Sequence, residues 1–281
     1  MNKDSSTYQE LYRDFKWEIP THYNIGYDAS EKWAIKTPHN PAIIEVFPDG
    51  NLKETSYFEF DCLVNRGANY LSKMGAKKGD RIGILLPQSL ECAISHIVAF
   101  KLGAISVPLF LLFGPDALSY RILNAGIQIL ITDNAGASKL RKMTDSAQRN
   151  LQIYTVDGAD PKLQTNDLCF FDLKEPIYFK CVNTRADDPA TITYTSGTTG
   201  SPKGALHAHR VLLGHLPGFE MFLNLFSKYK KQKDNLLWTP ADWAWMGGLY
   251  NILFPGLHHG IPVLAHRFEK FSGEKTFELM S

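Results

Sequence analysis

No pair of cysteines in this chain has the spacing of a redox or zinc motif. Cys62, Cys92, Cys169 and Cys181 are scattered, without a CxxC. They read as reduced thiols, which sets aside a disulfide framework or a zinc ribbon. Neither sign of charge is in surplus: 30 Lys and Arg stand against 29 Asp and Glu, a formal net charge of +1. That balance gives no footprint for nucleic acid or for a membrane surface. The opening MNKDSSTYQELYRDFKWEIP lacks the basic start and apolar core of a signal peptide. The most apolar stretch, Leu102 to Phe113, contains Pro108 and falls short of the roughly 20 residues that span a bilayer. A cytoplasmic location is therefore expected. Repeats and low-complexity tracts are missing, and His258-His259 has no further ligands at metal-site spacing.

What is present is an ordinary globular composition, 44% apolar and 21% charged, in 281 residues. That length builds one large α/β domain or two ordinary ones. Residues 1–40 read as an irregular arm with a helix near Ile25 to Lys36. Pro41–Phe47 and Lys53–Tyr57 flank a Pro-Asp-Gly turn and predict a hairpin. Phe60, Leu63, Val64, Ala68 and Leu71 share one face of a helix over Phe58–Met74, closed by Gly75 and Gly79. Uniformly apolar strands then alternate with helices. The expected strands are Arg81–Leu86, Ala104–Leu109, Gln128–Thr132 and Leu151–Val156. The helices between them are Gln88–Leu102, Asp116–Ala125 and Ala137–Gln148. Such alternation predicts an α/β fold of parallel sheets covered by helices. Residues 157–187 read as a connection, so two sub-lobes are expected, about 41–180 and 181–281. In the second, Ala190–Thr195 is a strand, followed by a Gly-rich loop and a helix from about Ala205 to Phe226. Asn235–Trp238 and Ile261–Ala265 are further strands, with a helix over Gly247–Leu257. The chain stops at Glu274–Ser281, inside what reads as an opening helix, and a truncated reading frame is the expectation.

The informative segment is Thr195-Ser196-Gly197-Thr198-Thr199-Gly200-Ser201-Pro202-Lys203-Gly204. Its glycines permit backbone conformations denied to other residues, and its exposed N–H groups suit an anion-binding nest. The hydroxyls of Thr195, Ser196, Thr198 and Thr199 add donors without charge, and Lys203 supplies the cation. A polyphosphate fits this set. Pro202 before Lys203 and Gly204 after it exclude the P-loop pattern. No GxGxxG and no GxSxG occurs, which removes the dinucleotide fold and the nucleophile elbow.

Tyr194 to Gly204 resembles, at every position, the signature loop of the adenylate-forming superfamily, which includes acyl-CoA synthetases, luciferases and nonribosomal-peptide adenylation domains. Asp187-Asp188-Pro189-Ala190 precedes it, as is common there. His209 lies where the family has a Thr-His pair, with Ala208 in place of Thr; a structural role and a substrate contact both stand open for His207 and His209. A second stretch, Leu237-Trp238-Thr239-Pro240-Ala241-Asp242-Trp243-Ala244-Trp245-Met246-Gly247-Gly248-Leu249, is similar to the segment beside the acyl pocket in acetyl- and medium-chain acyl-CoA synthetases. Its tryptophans offer apolar wall and its glycines open space. An aromatic core cluster without a ligand is the other reading. Asp116 and Pro108-Leu109-Phe110 resemble family elements weakly. Lys228–Lys233 reads as a solvated basic loop, with contact to CoA phosphates as the minor reading.

The resemblance covers essentially the whole chain but only about the first half of a family member. It implies activation of a carboxylic acid by ATP to an acyl-adenylate, then transfer to the thiol of coenzyme A. It further implies that Thr195 through Gly204 hold the β- and γ-phosphates, that Lys203 and Thr198 act in catalysis, and that Thr198 or Thr199 helps hold Mg²⁺. Trp238, Asp242, Trp243, Trp245, Gly247 and Gly248 would line the acyl pocket. The family's Glu for Mg²⁺, its ribose-binding Thr-Gly-Asp and its catalytic Lys have no counterpart within these 281 residues, so little ligase activity is expected of the chain alone. Two other readings remain: a truncated nucleotide-binding protein without catalysis, and an adenylating enzyme that loads a carrier protein instead of CoA.

Overall fold

The computed structural model describes residues 8–47, 49–195, 200–223, 235–266 and 272–280. The amino-terminal arm forms α1 (Tyr8–Asp14), a π-helical turn (Tyr27–Glu31) and α2 (Lys32–Lys36). The turn is no loose tail, because Ile25 and Ala29 are wholly buried in the main core. Next come β1 (Pro41–Val46) and β2 (Leu52–Ser56), an antiparallel hairpin as expected. Ser56 then caps α3 (Tyr57–Lys73) in a reciprocal box with Glu59, satisfying two orphan donors. The predicted apolar stripe of α3 is buried.

The alternating run builds the main sheet: β3 (Arg81–Leu85), α4 (Leu90–Lys101), β4 (Ile105–Pro108), α5 (Pro115–Ala125), β5 (Ile129–Thr132), α6 (Asn134–Leu140), α7 (Asp145–Gln148), β6 (Gln152–Thr155) and β7 (Asn166–Asp167). The chain continues through β8 (Pro189–Thr195), β9 (Lys203–Ala208), α8 (Val211–Phe222), α9 (Met246–Gly248), a π-helical turn (Leu249–Leu253), α10 (Phe254–His259), β10 (Val263–Ala265) and α11 (Gly273–Met280). The seven-stranded sheet runs β7-β6-β5-β3-β4-β8-β9, parallel except for β9. A three-stranded sheet runs β10-β1-β2. Both sheets draw strands from either side of residue 180.

Successive side chains on a strand point to opposite faces, and the core divides accordingly. Ile82, Ile84, Ile129 and Ile131 join the larger apolar cluster with α3 and α4. Leu85, Val107 and Leu130 join a second cluster with Leu118 and Ile122 of α5. Helices thus cover both faces, and buried strands need no polar alternation. Lys101, fully buried at the end of α4, is held by Asp61 (2.7 Å), Asn65 (2.8 Å) and Glu31 (3.1 Å). That network ties α3, α4 and the arm together.

Three sequence expectations are corrected. The helix expected from Ala205 is strand β9, paired antiparallel with β8 from Thr195↔Lys203 to Pro189↔Ala208; the helix begins only at Val211. Ala137–Gln148 is two helices, with separate N-caps at Asp133 and Thr144. Asn235–Trp238 is not a strand: it contributes one bridge, Leu237 to Val263.

Candidate functional site

The signature loop closes the β8–β9 hairpin, and does not lead from a strand into a helix. Ser196, Gly197, Thr198 and Thr199 lie outside the described residues. Thr195 and Lys203 are exposed and paired across the hairpin. Gly200 has φ +95°, a conformation open to glycine. Ser201 is exposed and Pro202 half-buried. The carbonyl of Pro202 accepts a hydrogen bond from the Tyr120 hydroxyl of α5 at 2.9 Å. Gly204 lies in close quarters: a Cβ there would fall 3.0 Å from Ile192 Cγ2 and 3.2 Å from the Tyr194 ring, and those side chains would have to give by a few tenths of an ångström.

The tryptophan segment lies at the same edge of the main sheet. Gln88, just past β3, donates to the carbonyls of Thr239 (3.1 Å) and Ala241 (2.9 Å). Trp245 packs on Phe110 and Phe113, just past β4, with ring centroids 5.3 and 6.1 Å apart. β3, β4 and β8 are neighbouring parallel strands, so all three end on one side. The crevice at the carboxyl ends of such strands is where open α/β sheets bind ligands.

Within the segment the side chains divide. Trp243 is 1% exposed and belongs to the main core, so it backs the site without forming an open wall. Trp245 is 41% exposed and Trp238 half-buried. Asp242 caps the following turn through Ala244 N at 2.8 Å. Gly247 has open space where a side chain would be, whereas Gly248 has none: a Cβ there would lie 2.5 Å from the Asp242 carbonyl.

The face of the hairpin opposite α5 is polar. Thr191 Oγ1 meets the Tyr250 hydroxyl at 2.6 Å, and Thr193 Oγ1 lies 3.1 Å from His207 Nε2. Burial and the neighbouring His215 lower the His207 pKa. His209 is fully buried, its Nδ1 accepting from Ile25 N at 3.3 Å, and burial lowers it to about 4. The bond to Ile25 gives this enclosed imidazole a structural contact with the arm.

On the α5 face, Arg121 lies between aromatic rings. Its guanidinium carbon is 3.9 Å from the Phe113 centroid and 5.3 Å from that of Tyr194. Burial lowers its pKa and pushes Tyr194 up to about 12. A desolvated cation–π contact returns about 2 kcal/mol, against an ion-desolvation penalty of several kcal/mol. Gln88, Tyr120, Arg121 and Phe113 carried no motif. Only their position just past an apolar strand, or on the helix following one, marks them in the sequence.

Among the described residues, no group of three or more His, Cys, Asp or Glu could hold a metal ion, and no helix is long and apolar enough to cross a membrane.

Comparison with known proteins supplies the context. A family model described as AMP-binding enzyme matches residues 30–281. The chain is similar to the 3-hydroxypropionyl-coenzyme A synthetase of Sulfurisphaera tokodaii, at 30% identity over 267 residues, which is 89% of this chain and 40% of that protein. It is similar to the acetyl-coenzyme A synthetase of Desulfatibacillum aliphaticivorans, at 31% over 264 residues, 88% of this chain and 40% of that one. The crystal structure of a Brucella canis acyl-CoA synthetase superposes with a TM-score of 0.82 at 24% identity, covering 97% of this chain and 50% of the other. At that identity the likeness speaks for the fold. The chain spans about 40% of the length of these curated relatives.

Proposed function

The chain belongs to the AMP-binding enzyme family, and from that premise we propose that it carries the ATP-handling loop and part of the acyl-facing wall of an ATP-dependent acid–thiol ligase. The reaction is activation of a carboxylic acid to an acyl-adenylate with release of pyrophosphate, followed by displacement of AMP by the thiol of coenzyme A. One observation carries the reading. A Gly- and hydroxyl-rich sequence with one cation joins β8 to β9 at the carboxyl ends of the parallel strands, the end at which Trp245, exposed, packs on the residues just past β4.

In this reading the main-chain amides and hydroxyls of 195–204 cradle the β- and γ-phosphates, and Lys203 neutralises charge as pyrophosphate departs. The protein's part in such chemistry is positioning and electrostatics. Thr198 or Thr199 serves Mg²⁺. A metal that arrives with the nucleotide and keeps waters and phosphate oxygens needs only one or two protein ligands, so a hydroxyl-bearing loop suits it. Trp245, Trp238 and Gly247 face the acyl group, with Trp243 supporting them from the core. The relatives named for acetyl and 3-hydroxypropionyl groups favour a short acid.

The test is Lys203→Ala. A charge-assisted bond to phosphate is worth about 1.5–3 kcal/mol, so ATP affinity should fall about 10- to 100-fold. Equilibrium dialysis of the 281-residue chain measures this, and acid-dependent ATP–pyrophosphate exchange measures the same loss in the whole enzyme. Unchanged ATP affinity in the variant would remove the loop from the proposal.

A further inference from the structure

A cleft of about 340 Å³ opens between the amino-terminal arm and the stretch that leads into β8. Tyr23, Asn24, Tyr27 and Asp28 line it from the arm, and Cys181 and Val182 from the other side. The Val182 N–H donates to the carbonyl of Lys101, the last residue of α4, at 2.9 Å. The cleft therefore sits at the amino end of the parallel strands. The loop leaves β8 at the opposite end, and the seven residues of that strand span about 23 Å. The two places are distinct.

Size and lining suit a small molecule. Ligand clefts of a few hundred Å³ have apolar walls and a few fixed polar groups. Here Tyr23, Tyr27 and Val182 supply apolar surface, and the buried polar groups are Asn24 and Asp28, each 8% exposed. Asn24 is engaged within the protein. Its amide nitrogen donates to the carbonyls of Phe100 (2.7 Å) and Val182 (3.1 Å), and its oxygen accepts from Gly26 N (2.8 Å). Asp28 has capacity left. A carboxylate offers about four acceptor sites. The Tyr23 hydroxyl and His258 Nδ1 bond one oxygen, and Lys32 bonds the other.

The charge around the cleft decides what fits it. Glu31, Asp61 and Lys101 lie close enough to Cys181 for their charges to act on its thiol. With the Asp28–Lys32 pair, these poorly solvated groups bring three carboxylates against two ammonium groups. Away from bulk water such an excess is weakly screened. Tyrosine rings at the rim attract cations as well.

We infer that this cleft binds a small organic cation, an ammonium group on a compact apolar body, with the ammonium at the open acceptor site of Asp28 and the body against Tyr23, Tyr27 and Val182. The site stands apart from the phosphate loop and does not depend on it.

Three probes of similar size separate charge from shape: phenethylamine, 2-phenylethanol and 3-phenylpropionate. Each is titrated calorimetrically into the chain at about pH 8, above the ordinary imidazole range. Phenethylamine should bind about tenfold or more tighter than the alcohol, the measure of one charge-assisted contact, and the carboxylate weakest. Asp28→Asn should abolish that preference. Asn183→Lys places a second cation at the exposed rim of the cleft and should cut the preference about threefold. Equal affinity for the three probes, or no saturable binding of phenethylamine, overturns the proposal. A preference that both variants leave intact overturns it too, since the amine would then be bound elsewhere. Should Asp28→Asn not fold, Asn183→Lys decides alone: a reduced preference supports the site and an unchanged one removes it.

Discussion

Gly248 and Gly247 stand side by side, yet their surroundings are opposite. A methyl group on Gly248 would press into two carbonyl oxygens, 2.5 Å from that of Asp242 and 2.8 Å from that of Ala241. Backbone cannot yield as a side-chain tip can. Alanine would gain about 1 kcal/mol of helix propensity in α9, but overpacking costs about 1–3 kcal/mol, and here the clash wins. Gly248→Ala should therefore lower the denaturant midpoint and shift the tryptophan emission. Gly247→Ala meets nothing within 4 Å and should stay within about 0.5 kcal/mol of wild type, while narrowing the space beside Trp245. Equal stability of the two variants would show that the close approach at Gly248 is not a constraint. Gly204 is the milder case: a Cβ there would meet side-chain atoms of Ile192 and Tyr194 at 3.0 and 3.2 Å, which need give by only a few tenths of an ångström. Gly200, with its positive φ, is there for conformation.

At the scale of elements, the site depends on a few side chains that fasten segments to strand ends. Gln88 is the clearest. Its one amide nitrogen serves two carbonyls of the tryptophan segment, and nothing else in the sequence identifies it. Gln88→Ala leaves both carbonyls without that donor. A loss of about 1–3 kcal/mol is expected, together with faster amide hydrogen exchange across residues 237–248. Exchange unchanged there would mean that the segment is held by packing alone. The same scale shows how far the sequence could be read. The alternating strands and helices of residues 81–156 were legible because both faces of each strand are buried, so uniform apolar runs reveal them. The signature loop was legible as a family motif. Its setting was not. Lys203-Gly204-Ala205-Leu206-His207-Ala208 has the composition of a helix start, and only pairing with β8 makes it a strand, a tertiary effect that local propensity cannot report. Trp243 and Trp245 look alike in the sequence. One is core and the other half in solvent, because the turn capped by Asp242 sends them to different sides.

At the scale of the molecule, the burial of three imidazoles makes folding sensitive to mild acid. His96 is enclosed in the core, its Nδ1 2.7 Å from Ser106 Oγ, and burial lowers its pKa to about 3. His209 is lowered by burial to about 4 despite the opposing pull of Asp188. The two belong to one aromatic core, since Phe254 packs against His96 and Phe100 joins Phe254 to His209. In the unfolded chain both titrate near 6.5. His259 joins them, since burial lowers it to about 3 as well. Below about pH 6.5 the unfolded state binds protons at all three sites that the folded state refuses, so stability is full above about 6.5 and falls with decreasing pH. The slope approaches about 4 kcal/mol per pH unit before the folded pKa values are reached. A second loss follows at lower pH. Burial alone would raise Asp28, but bonds from His258 and Lys32 outweigh it and hold the carboxylate at about 2, so its contribution fades as the pH drops from about 4 towards 2. The urea midpoint should therefore decline already between pH 6.5 and 5. His209→Gln, which carries no titrating group, should remove about a third of that early slope even though it lowers stability at neutral pH. A midpoint that stays flat from pH 7 to 5 would mean that none of the three imidazoles is sealed from solvent, and with them would go the argument that the arm is locked to the sheet through His209 and Ile25.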